Sequence, residues 1–412
     1  MNELQASAEK IAADYERLVK LKQTQIDALL DISQAINNNL SIASLLRIYE
    51  FTLRAQFSVP RMMVFLKNEV WECVCAYGVG PEARNIDVPK DLIWIDKLTR
   101  VSSSKHPVLA DFEVVIPVQH QDRPLAYVLI GDLDKRFSSD EQLRFIQTLT
   151  NIVLVAVENR KLLRAQIEQE VLKKELELAA QMQAMLFPEQ LPDNDMCEMA
   201  AFYYPHHDIG GDYYDYLELP DGHHMFCVGD ISGKGIAAAL LMANFQANLR
   251  SLIKTHRNLT TFAETLNDLV SQITRGEKFI TLLLGVFNPA TRQLNYINAG
   301  HNPSLLYQEG KLIELTKGCT ILGMFPDLPF VRTEEIILSR EALLINYTDG
   351  LIDFENEAGE FYGVERLKEF VIRNHHLSAT EFNRTLINEI KTFKGTGGSF
   401  LDDVTLLTCR YH

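Results

Sequence analysis

Apolar and small residues recur every three or four positions along the first 36 residues of the chain, which is the spacing of one face of an α-helix. The series starts at Leu4, lapses near Lys22, and resumes from Leu29 to Ile36. This pattern predicts a helix over residues 1–38. Its apolar face packs either on its own domain or against a second helix in a dimeric coiled coil.

Residues 39–160 mix short apolar runs with helical segments. Four of the runs have the length and composition of β-strands, namely Arg61–Leu66, Val70–Tyr77, Glu113–Gln119 and Leu125–Gly131. Ser138 and Glu141 form a capping box, which predicts the start of a helix that continues without glycine or proline to Phe187. We therefore predict a mixed α/β domain from which one long helix leaves.

The segment 161–187 has the pattern of a helix that pairs with a copy of itself. Apolar residues step by four from Leu163 to Val171, slip by one position, and continue by four and three to Leu186. Charges of both signs cover many of the other positions, as on a solvated helix. We expect a helical connector in a homodimer. Pro188 ends it, because proline cannot extend the helical hydrogen-bond ladder.

Residues 188–412 consist mainly of predicted strands separated by turn signals. The predicted strands are Met225–Val228, Thr281–Asn288, Gln293–Ala299, Ser304–Gln308, Lys311–Leu315, Ala342–Tyr347 and Val404–Cys409. Two stretches, Ala237–Ile253 and Leu259–Thr274, carry apolar residues at helical spacing. The overall prediction is an α+β fold in which covering helices flank a β-rich core.

Four aspartates stand in separate apolar-flanked segments of this C-terminal region. They are Asp212 in GGDYYD, Asp230 in VGDISGKG, Asp349 in NYTDG and Asp402 in LDDVT. A lone aspartate after a strand is usually a solvated turn residue, but four of them at predicted strand ends indicate a carboxylate cluster. Carboxylate oxygens without histidine or thiolate partners suit Mg²⁺ or Mn²⁺. A metal-dependent phosphoryl enzyme is the first hypothesis.

Composition narrows the classes of partner. The chain has 412 residues, 47% of them hydrophobic, which suggests two or three domains. Its formal net charge of −15 disfavours nucleic acid or an anionic membrane as partners. No apolar run approaches the roughly 20 residues that span a bilayer. The six cysteines form no CxxC pair and no signal peptide is recognisable, so we expect reduced thiols and a cytoplasmic location.

The arrangement of residues 39–160 resembles a GAF domain. The resemblance rests on a leading helix, a mixed sheet with the strand WECVCAYGVG, and an ending DRPLAYVLIGDLDKRFSSDEQLRFIQTLTNIVLVAVENR. It implies a sensory domain that holds an unknown small ligand or protein partner over its sheet.

The C-terminal region resembles the SpoIIE and RsbU branch of the PPM serine/threonine phosphatases. The matching motifs are GGDYYDY, DISGKGIAAALLMA, FITLLLGVFNPATRQLNYINAGHNPSLL, LGM, YTDGLID and DDVTLL. The resemblance implies a sandwich of two antiparallel sheets flanked by helices, with two Mn²⁺ or Mg²⁺ ions at one edge. The ligands that it implies are Asp212, Asp230, the Ile231 carbonyl oxygen, Asp349 and Asp402, with Asp230 bridging the ions. Asp353 matches the position of a third, weaker site, and its alternative is a solvated carboxylate at a helix start.

Two close cations can activate water for direct attack on phosphorus, so no cysteine or serine nucleophile is required. The two resemblances imply a GAF-regulated phosphatase that acts on phosphoserine or phosphothreonine of a protein partner, such as a STAS-type anti-sigma-factor antagonist, and the helical connector predicts that it is a homodimer. The alternative is a ligand-responsive scaffold whose phosphatase domain is silent.

Two positions depart from the eukaryotic enzymes of that family. Ser232 stands where those enzymes have a histidine thought to protonate the leaving group, and a serine hydroxyl is a poor acid. In place of their phosphate-binding arginine the chain has His206 and His207, which either contact substrate or belong to a polar loop. His301 in AGHNP is interpreted as a residue that fixes a turn.

Overall fold

The computed structural model describes residues 2–80, 86–101, 109–120, 123–133, 139–256, 258–395 and 400–412. The chain divides into two units, Met1–Gln169 and Glu170–His412. The N-terminal unit contains helices α1 (Asn2–Asn37), α2 (Ile42–Phe51) and α3 (Val88–Asp91), strands β1 (Arg61–Lys67), β2 (Trp71–Tyr77), β3 (Thr99–Arg100), β4 (Val114–His120) and β5 (Arg123–Gly131), and the start of α4 (Asp140–Ala184).

The five strands form an antiparallel sheet in the order β2-β1-β5-β4-β3. One face packs against α1, α2 and α4 around Tyr49, Val64 and Val128, and the other against residues of the segments 86–101 and 109–112 around Phe65 and Tyr127. Because both faces are covered, β1 and β5 are apolar along almost their whole length. The four predicted strands are confirmed to within two residues at each end.

Helix α4 is continuous over 45 residues. Ser138, predicted to cap it, lies outside the described residues, and the backbone carbonyl of Ser139 accepts hydrogen bonds from the amides of Gln142 and Leu143. Leu149, Val153 and Val157 are buried in the N-terminal core, and beyond them the predicted pairing face is solvent-exposed. The exposed apolar residues of this face include Leu163, Ile167, Val171, Leu172 and Met182.

The C-terminal unit is built from two antiparallel-rich sheets. The first has the order β13-β10-β9-β8-β7, with β14 also paired to β10, and the second has the order β12-β11-β15-β16-β6. The strands are β6 (Cys197–Tyr204), β7 (Asp212–Glu218), β8 (His224–Ile231), β9 (Ile280–Asn288), β10 (Gln293–Ala299), β11 (Ser304–Gln308), β12 (Lys311–Leu315), β13 (Gly318–Cys319), β14 (Glu334–Ile337), β15 (Ala342–Tyr347) and β16 (Val404–Tyr411).

Apolar side chains from the two sheets meet in a shared core that includes Phe226, Leu283, Leu306 and Leu407. Helices α5 (Ile236–Thr255) and α6 (Leu259–Thr274) cover the outer face of the first sheet, and α7 (Gly363–Asn374) and α8 (Ala379–Lys394) cover that of the second. The unit is therefore a four-layer α-β-β-α sandwich, and the predicted α+β class is confirmed for this region.

Our expectation of two helices in this unit is wrong, because α7 and α8 were overlooked. In α7, Leu367, Phe370 and Val371 are buried at helical spacing, but the charged residues between them make the continuous apolar face hard to recognise in the sequence. Among the described helices, α5 has a length and composition that could cross a membrane. Its apolar side chains Leu241, Met242 and Phe245 pack in the core instead.

Candidate metal centre

Asp212 and Asp230 lie opposite each other at one end of the β7–β8 hairpin. Asp212 is the first residue of β7, Asp230 is the penultimate residue of β8, and the two are register partners in the antiparallel pair. Residues that face each other on neighbouring strands bring their side chains to within about 5 Å at Cβ. The first sheet therefore presents two acidic groups at one edge.

Asp349 and Asp402 lie at the corresponding edge of the second sheet. Asp349 starts a short 3-10 helix two residues after the end of β15, and Asp402 lies two residues before the start of β16. Since β15 and β16 are antiparallel neighbours, the end of one strand lies beside the start of the other. The amide of Thr348 donates to the carbonyl of Thr405 at 3.1 Å, which ties the two acidic segments together.

The acidic groups of the two sheets lie close enough to influence one another's pKa values. Burial raises the pKa of Asp230 to about 6, and the nearby charges of Asp349 and Asp402 add to the shift. Burial also raises the pKa of Asp349, with contributions from Asp402 and Asp353. The structure thus brings together the predicted ligands of both sheets, although no three acidic, histidine or cysteine side chains in the described ranges converge on one point at ligand distance.

Asp212 is held differently from the other three. It is 2% exposed, and its Oδ2 accepts hydrogen bonds from the hydroxyls of Thr348 at 2.7 Å and Thr405 at 2.6 Å. Burial raises its pKa well above the usual range, and the two hydroxyl bonds offset part of that shift. These threonines belong to YTDG and DDVT, so their position beside two acidic motifs was the available signal, but our sequence reasoning missed them.

Asp403 positions the loop that leads into β7. Its Oδ1 accepts from the amide of His206 at 2.7 Å, and its Oδ2 accepts from the amide of Gly211 at 2.5 Å. The side chain is 6% exposed, so these bonds satisfy a buried carboxylate. The sequence had singled out Asp402 of this pair as a ligand, and the role of its neighbour emerges only from contacts 192 and 197 residues apart.

Glycine is required at two points of the site. A Cβ atom on Gly211 would lie 2.7 Å from the Ile231 carbonyl oxygen and 3.0 Å from Asp230 Oδ1, and one on Gly350 would overlap the Asp403 carbonyl oxygen. Backbone can approach the carboxylates this closely only where a side chain is missing. The GGD and TDG motifs therefore owe their glycines to packing around the acidic edge.

The donors at this edge fit a hard divalent cation. They are all oxygens, from Asp230, Asp349, Asp402 and the backbone of Ile231, and burial together with repulsion from neighbouring aspartates raises the pKa values of Asp230 and Asp349. A bound cation would relieve this repulsion. Asp353 adjoins the group through its amide, which donates to the carbonyl of Asp349 at 2.8 Å.

Ser232 and His301 have structural contacts. The Ser232 Oγ accepts a hydrogen bond from the amide of Phe279 at 2.8 Å, and the Ser232 amide donates to the Phe279 carbonyl at 3.0 Å. His301 is buried, which lowers its pKa to about 4, and its Nδ1 lies 2.8 Å from Oγ1 of Thr281, the register partner of Asp230 on β9. The pair of bonds at Ser232 closes the turn after β8, and a neutral His301 supports the strand behind it.

Two lysines that the sequence reasoning did not single out lie beside the acidic edge. Lys234 Nζ is 3.1 Å from Asp402 Oδ1. A Cβ atom on Gly233 would lie 2.9 Å from Lys278 Nζ, so this ammonium group lies over the turn between Asp230 and α5. Two ammonium groups of the chain itself therefore lie next to the acidic edge.

The last turn of α4 contacts the GGD loop directly. Gln183 is buried; its Nε2 donates to the carbonyl of Gly210 at 2.7 Å, and its Oε1 accepts from the amide of the same residue at 3.3 Å. The Gln246 side chain donates to the Leu186 carbonyl, and the ring of Phe187 stacks on that of Tyr214 with centroids 4.9 Å apart. The helix end is thus bonded to the residue two positions before Asp212.

Residues 220–412 match the family model described as Stage II sporulation protein E (SpoIIE). The chain is 27% identical over 328 residues to Protein IcfG of Synechocystis, and the aligned region covers 71% of this chain and 50% of that protein. It is 26% identical over 246 residues to the phosphoserine phosphatase RsbU of Bacillus subtilis, and the aligned region covers 59% of this chain and 72% of that protein. The chain therefore spans about half the length of the first relative and about 72% of the second.

Among solved structures, the SiaA-PP2C domain of Pseudomonas aeruginosa superposes with a TM-score of 0.51 at 20% identity, covering 60% of this chain and 99% of that domain. This likeness shows the fold alone, a PP2C-like domain. The family match covers less than half of the chain, and over that range the C-terminal unit is similar to SpoIIE-type proteins and to RsbU. Because that match begins at residue 220, it leaves the type of the N-terminal α/β unit unidentified and does not include Asp212.

Proposed function

We propose that this chain is a metal-dependent phosphatase that hydrolyses phosphoserine or phosphothreonine on a signalling protein. The observation that carries the proposal is that Asp230, Asp349 and Asp402 lie at one edge of a SpoIIE-type domain, where burial first and neighbouring carboxylates second raise the pKa values of Asp230 and Asp349. Phosphatases of this family depend on divalent metal ions, and an all-oxygen donor set agrees with Mg²⁺ or Mn²⁺.

Asp230, Asp349, Asp402 and the Ile231 carbonyl would hold the ions, with Asp230 as the bridge and Asp353 near a weaker third position. When bound, the ions supply an activated water and a positive charge that stabilises the transferring phosphoryl group. Asp212, whose Oδ2 is engaged by two threonines, would be a ligand through its other oxygen.

Other residues of the C-terminal unit hold the loops of the acidic edge in place. Asp403 and the threonines fix the loops, and Ser232, already an acceptor for the Phe279 amide, is a poor proton donor to a leaving group. In the described part of the chain the cysteines of this unit, Cys197, Cys227, Cys319 and Cys409, are buried, which agrees with attack by water and not by a thiolate.

The test is hydrolysis of an aryl phosphate and of a phosphoprotein with and without Mn²⁺, by wild type and by Asp230→Asn and Asp349→Asn. We expect Mn²⁺-dependent turnover that falls at least about a hundredfold in each variant, because each removes a ligand charge from the centre. Unchanged turnover in both variants would refute the assignment of the site. Absence of turnover with every substrate would favour the alternative, a signalling scaffold with a silent phosphatase domain.

We further propose that residues 39–160, within the N-terminal unit, form a GAF-like sensory domain that regulates the phosphatase through the connector 161–187. The bonds between Gln183 and Gly210 support this, because a change in how α4 docks would move the loop before Asp212. Gln183→Ala is expected to lower turnover without lowering the melting temperature of the N-terminal unit, and Gln190→Ala, just beyond the helix, serves as the control. Equal turnover in Gln183→Ala and wild type would contradict this route.

The exposed apolar face of α4 supports a homodimer joined by paired connector helices. Light scattering of wild type and of an Ile167→Lys, Val171→Lys variant tests it, since buried charges would break such a seam. A wild-type monomer at micromolar concentration would rule the dimer out.

The relatives named phosphoserine phosphatases support a phosphoprotein substrate, and we propose the STAS-type anti-sigma-factor antagonists as its class. A cytoplasmic location goes with this proposal. Competition between a phosphorylated STAS protein and a phosphopeptide of the same site measures whether the folded partner is recognised. Equal kcat/KM for both would exclude recognition beyond the phosphorylated residue.

A further inference from the structure

The turn after β8 is fixed to the chain that precedes β9. Ser232 and Phe279 exchange two hydrogen bonds, one through the serine hydroxyl, and Ile231 and Ile280 are register partners. The conformations of Gly233 and Gly235, with φ of 110° and 77°, complete a turn that residues with a side chain rarely adopt. Lys234 and Lys278 are therefore carried on one rigid corner next to the acidic edge.

Lys234 is bound to one of the proposed metal ligands. Its Nζ lies 3.1 Å from Asp402 Oδ1, and both side chains are about half exposed, at 51% and 49%. The same carboxylate oxygen cannot serve an ammonium group and a divalent cation with equal strength. Metal binding to Asp402 would weaken its bond to Lys234 and leave the ammonium group at the mouth of the site.

Lys278 has an exposed side chain whose Nζ lies over Gly233, in the same turn. A phosphate monoester is dianionic and has to approach an edge with four aspartates in a chain of net charge −15. Ammonium groups bind phosphate oxygens as point charges and need no bidentate geometry. In the eukaryotic enzymes that this domain resembles an arginine has this role, and the chain has histidines in that region, where His206 is seen to bond through its backbone.

We propose that Lys234 and Lys278 form the phosphoryl-binding subsite of this domain. We also propose that the ammonium group of Lys234 stays bonded to the Asp402 carboxylate until a metal ion replaces it. The proposal rests on the proposed phosphatase function and adds the residues that bind the substrate's phosphate. It predicts opposite effects of one substitution. Lys234→Met removes a competing cation from the metal ligands and a binding group from phosphate.

The experiment uses the full chain and two probes, MnCl₂ alone and inorganic phosphate added to Mg²⁺-saturated protein, both by calorimetry. We expect Lys234→Met to bind Mn²⁺ about threefold or more tightly and phosphate about tenfold more weakly, as for the loss of one charge-assisted bond. Lys278→Met should weaken phosphate alone, Lys278→Arg should restore it, and Lys311→Met on β12 is the control. The KM for an aryl phosphate gives a second measure of the same loss.

If phosphate affinity and KM are the same in a variant that combines Lys234→Met with Lys278→Met and in the wild type, the subsite is refuted. Weaker Mn²⁺ binding in Lys234→Met would refute the exchange at Asp402. Both results are separate from failure of the proposed function, which shows as Mn²⁺-dependent turnover that survives Asp230→Asn and Asp349→Asn.

Discussion

Asp212 and Asp215 lie three residues apart on β7, and both carboxylates are buried, but they are stabilised in different ways. Asp215 accepts two bonds of 2.7 Å from the guanidinium of Arg250, one from the Tyr213 hydroxyl and one from the Tyr216 amide. Asp212 has two hydroxyl donors for Oδ2 and no cation in its described contacts.

The difference separates a structural carboxylate from a functional one. A buried carboxylate without a partner cation is costly, so a fold that needs only an anchor supplies an arginine, as it does between β7 and α5. At Asp212 neutral donors hold the carboxylate in place and leave its charge for a cation from solution. Four predictions test this contrast, and they follow in order of expected effect.

Arg250→Met should destabilise the fold most. It leaves Asp215 buried and without its cation, and breaking a buried ion pair from one side costs about 3–5 kcal/mol. Urea unfolding of the metal-free protein measures the free energy of unfolding. Asp215→Asn with Arg250→Met should recover part of the loss, and a loss below about 1 kcal/mol in the single variant would show that Asp215 has no structural charge requirement.

Asp212→Asn should have the opposite profile. Turnover with Mn²⁺ should fall about a hundredfold, equivalent to about 2.7 kcal/mol of transition-state stabilisation. The free energy of unfolding without metal should not fall, because the amide oxygen still accepts from both threonines and no buried charge remains. A stability loss like that of Arg250→Met would place Asp212 with the structural carboxylates.

Thr405→Val should cost less, about 1.5 kcal/mol at pH 8, since it removes one hydrogen bond to an ionised carboxylate while keeping the side-chain shape. The pKa of Asp212 should rise further, because that hydroxyl is one of the two groups that lower it. The cost should shrink at low pH, where the carboxyl is protonated. Thr408→Val, on the same strand and bonded to Asn383, controls for the loss of a buried hydroxyl elsewhere.

The smallest effect concerns pH. Because the pKa of Asp230 is raised to about 6 in the folded chain, its ionisation destabilises the metal-free protein as the pH increases from below 4 to above 6. Mn²⁺ binds the ionised form. The rise in melting temperature caused by Mn²⁺ should therefore be larger at pH 7.5 than at pH 5, and an equal rise at both values would mean that Asp230 is not a ligand.

Local patterns predicted much of the C-terminal unit. The bounds of β10, β11, β12 and β15 agree with the sequence to the residue, since each is an apolar run between turn signals. The four aspartates were likewise recognisable, because each is embedded in a short motif with glycine or threonine beside it. Their gathering at one edge follows from strand order, which pairs β7 with β8 and β15 with β16.

The supporting residues could not be found in this way. Thr405 meets Asp212 across 193 positions and Gly211 meets Asp403 across 192, so each pair depends on the packing of one sheet against the other. The role of Ser232 in closing a turn was also missed, because the sequence shows only that a histidine is replaced. Such contacts depend on the three-dimensional arrangement, for which local spacing has no signal.

Because helix α4 is continuous, the rotation of its last turn about the helix axis is fixed relative to its first turns. It is continuous for 45 residues, so each inserted residue would turn everything beyond it by about 100° around the axis. One residue added near position 170 would turn Gln183 by about 100° relative to Leu149, Val153 and Val157 earlier in the helix, whereas seven would return it to within about 20° of its original direction. Insertion of a whole heptad in this connector would therefore lengthen it by about 10.5 Å and nearly preserve the angle between the buried face of its first part and the face that carries Gln183.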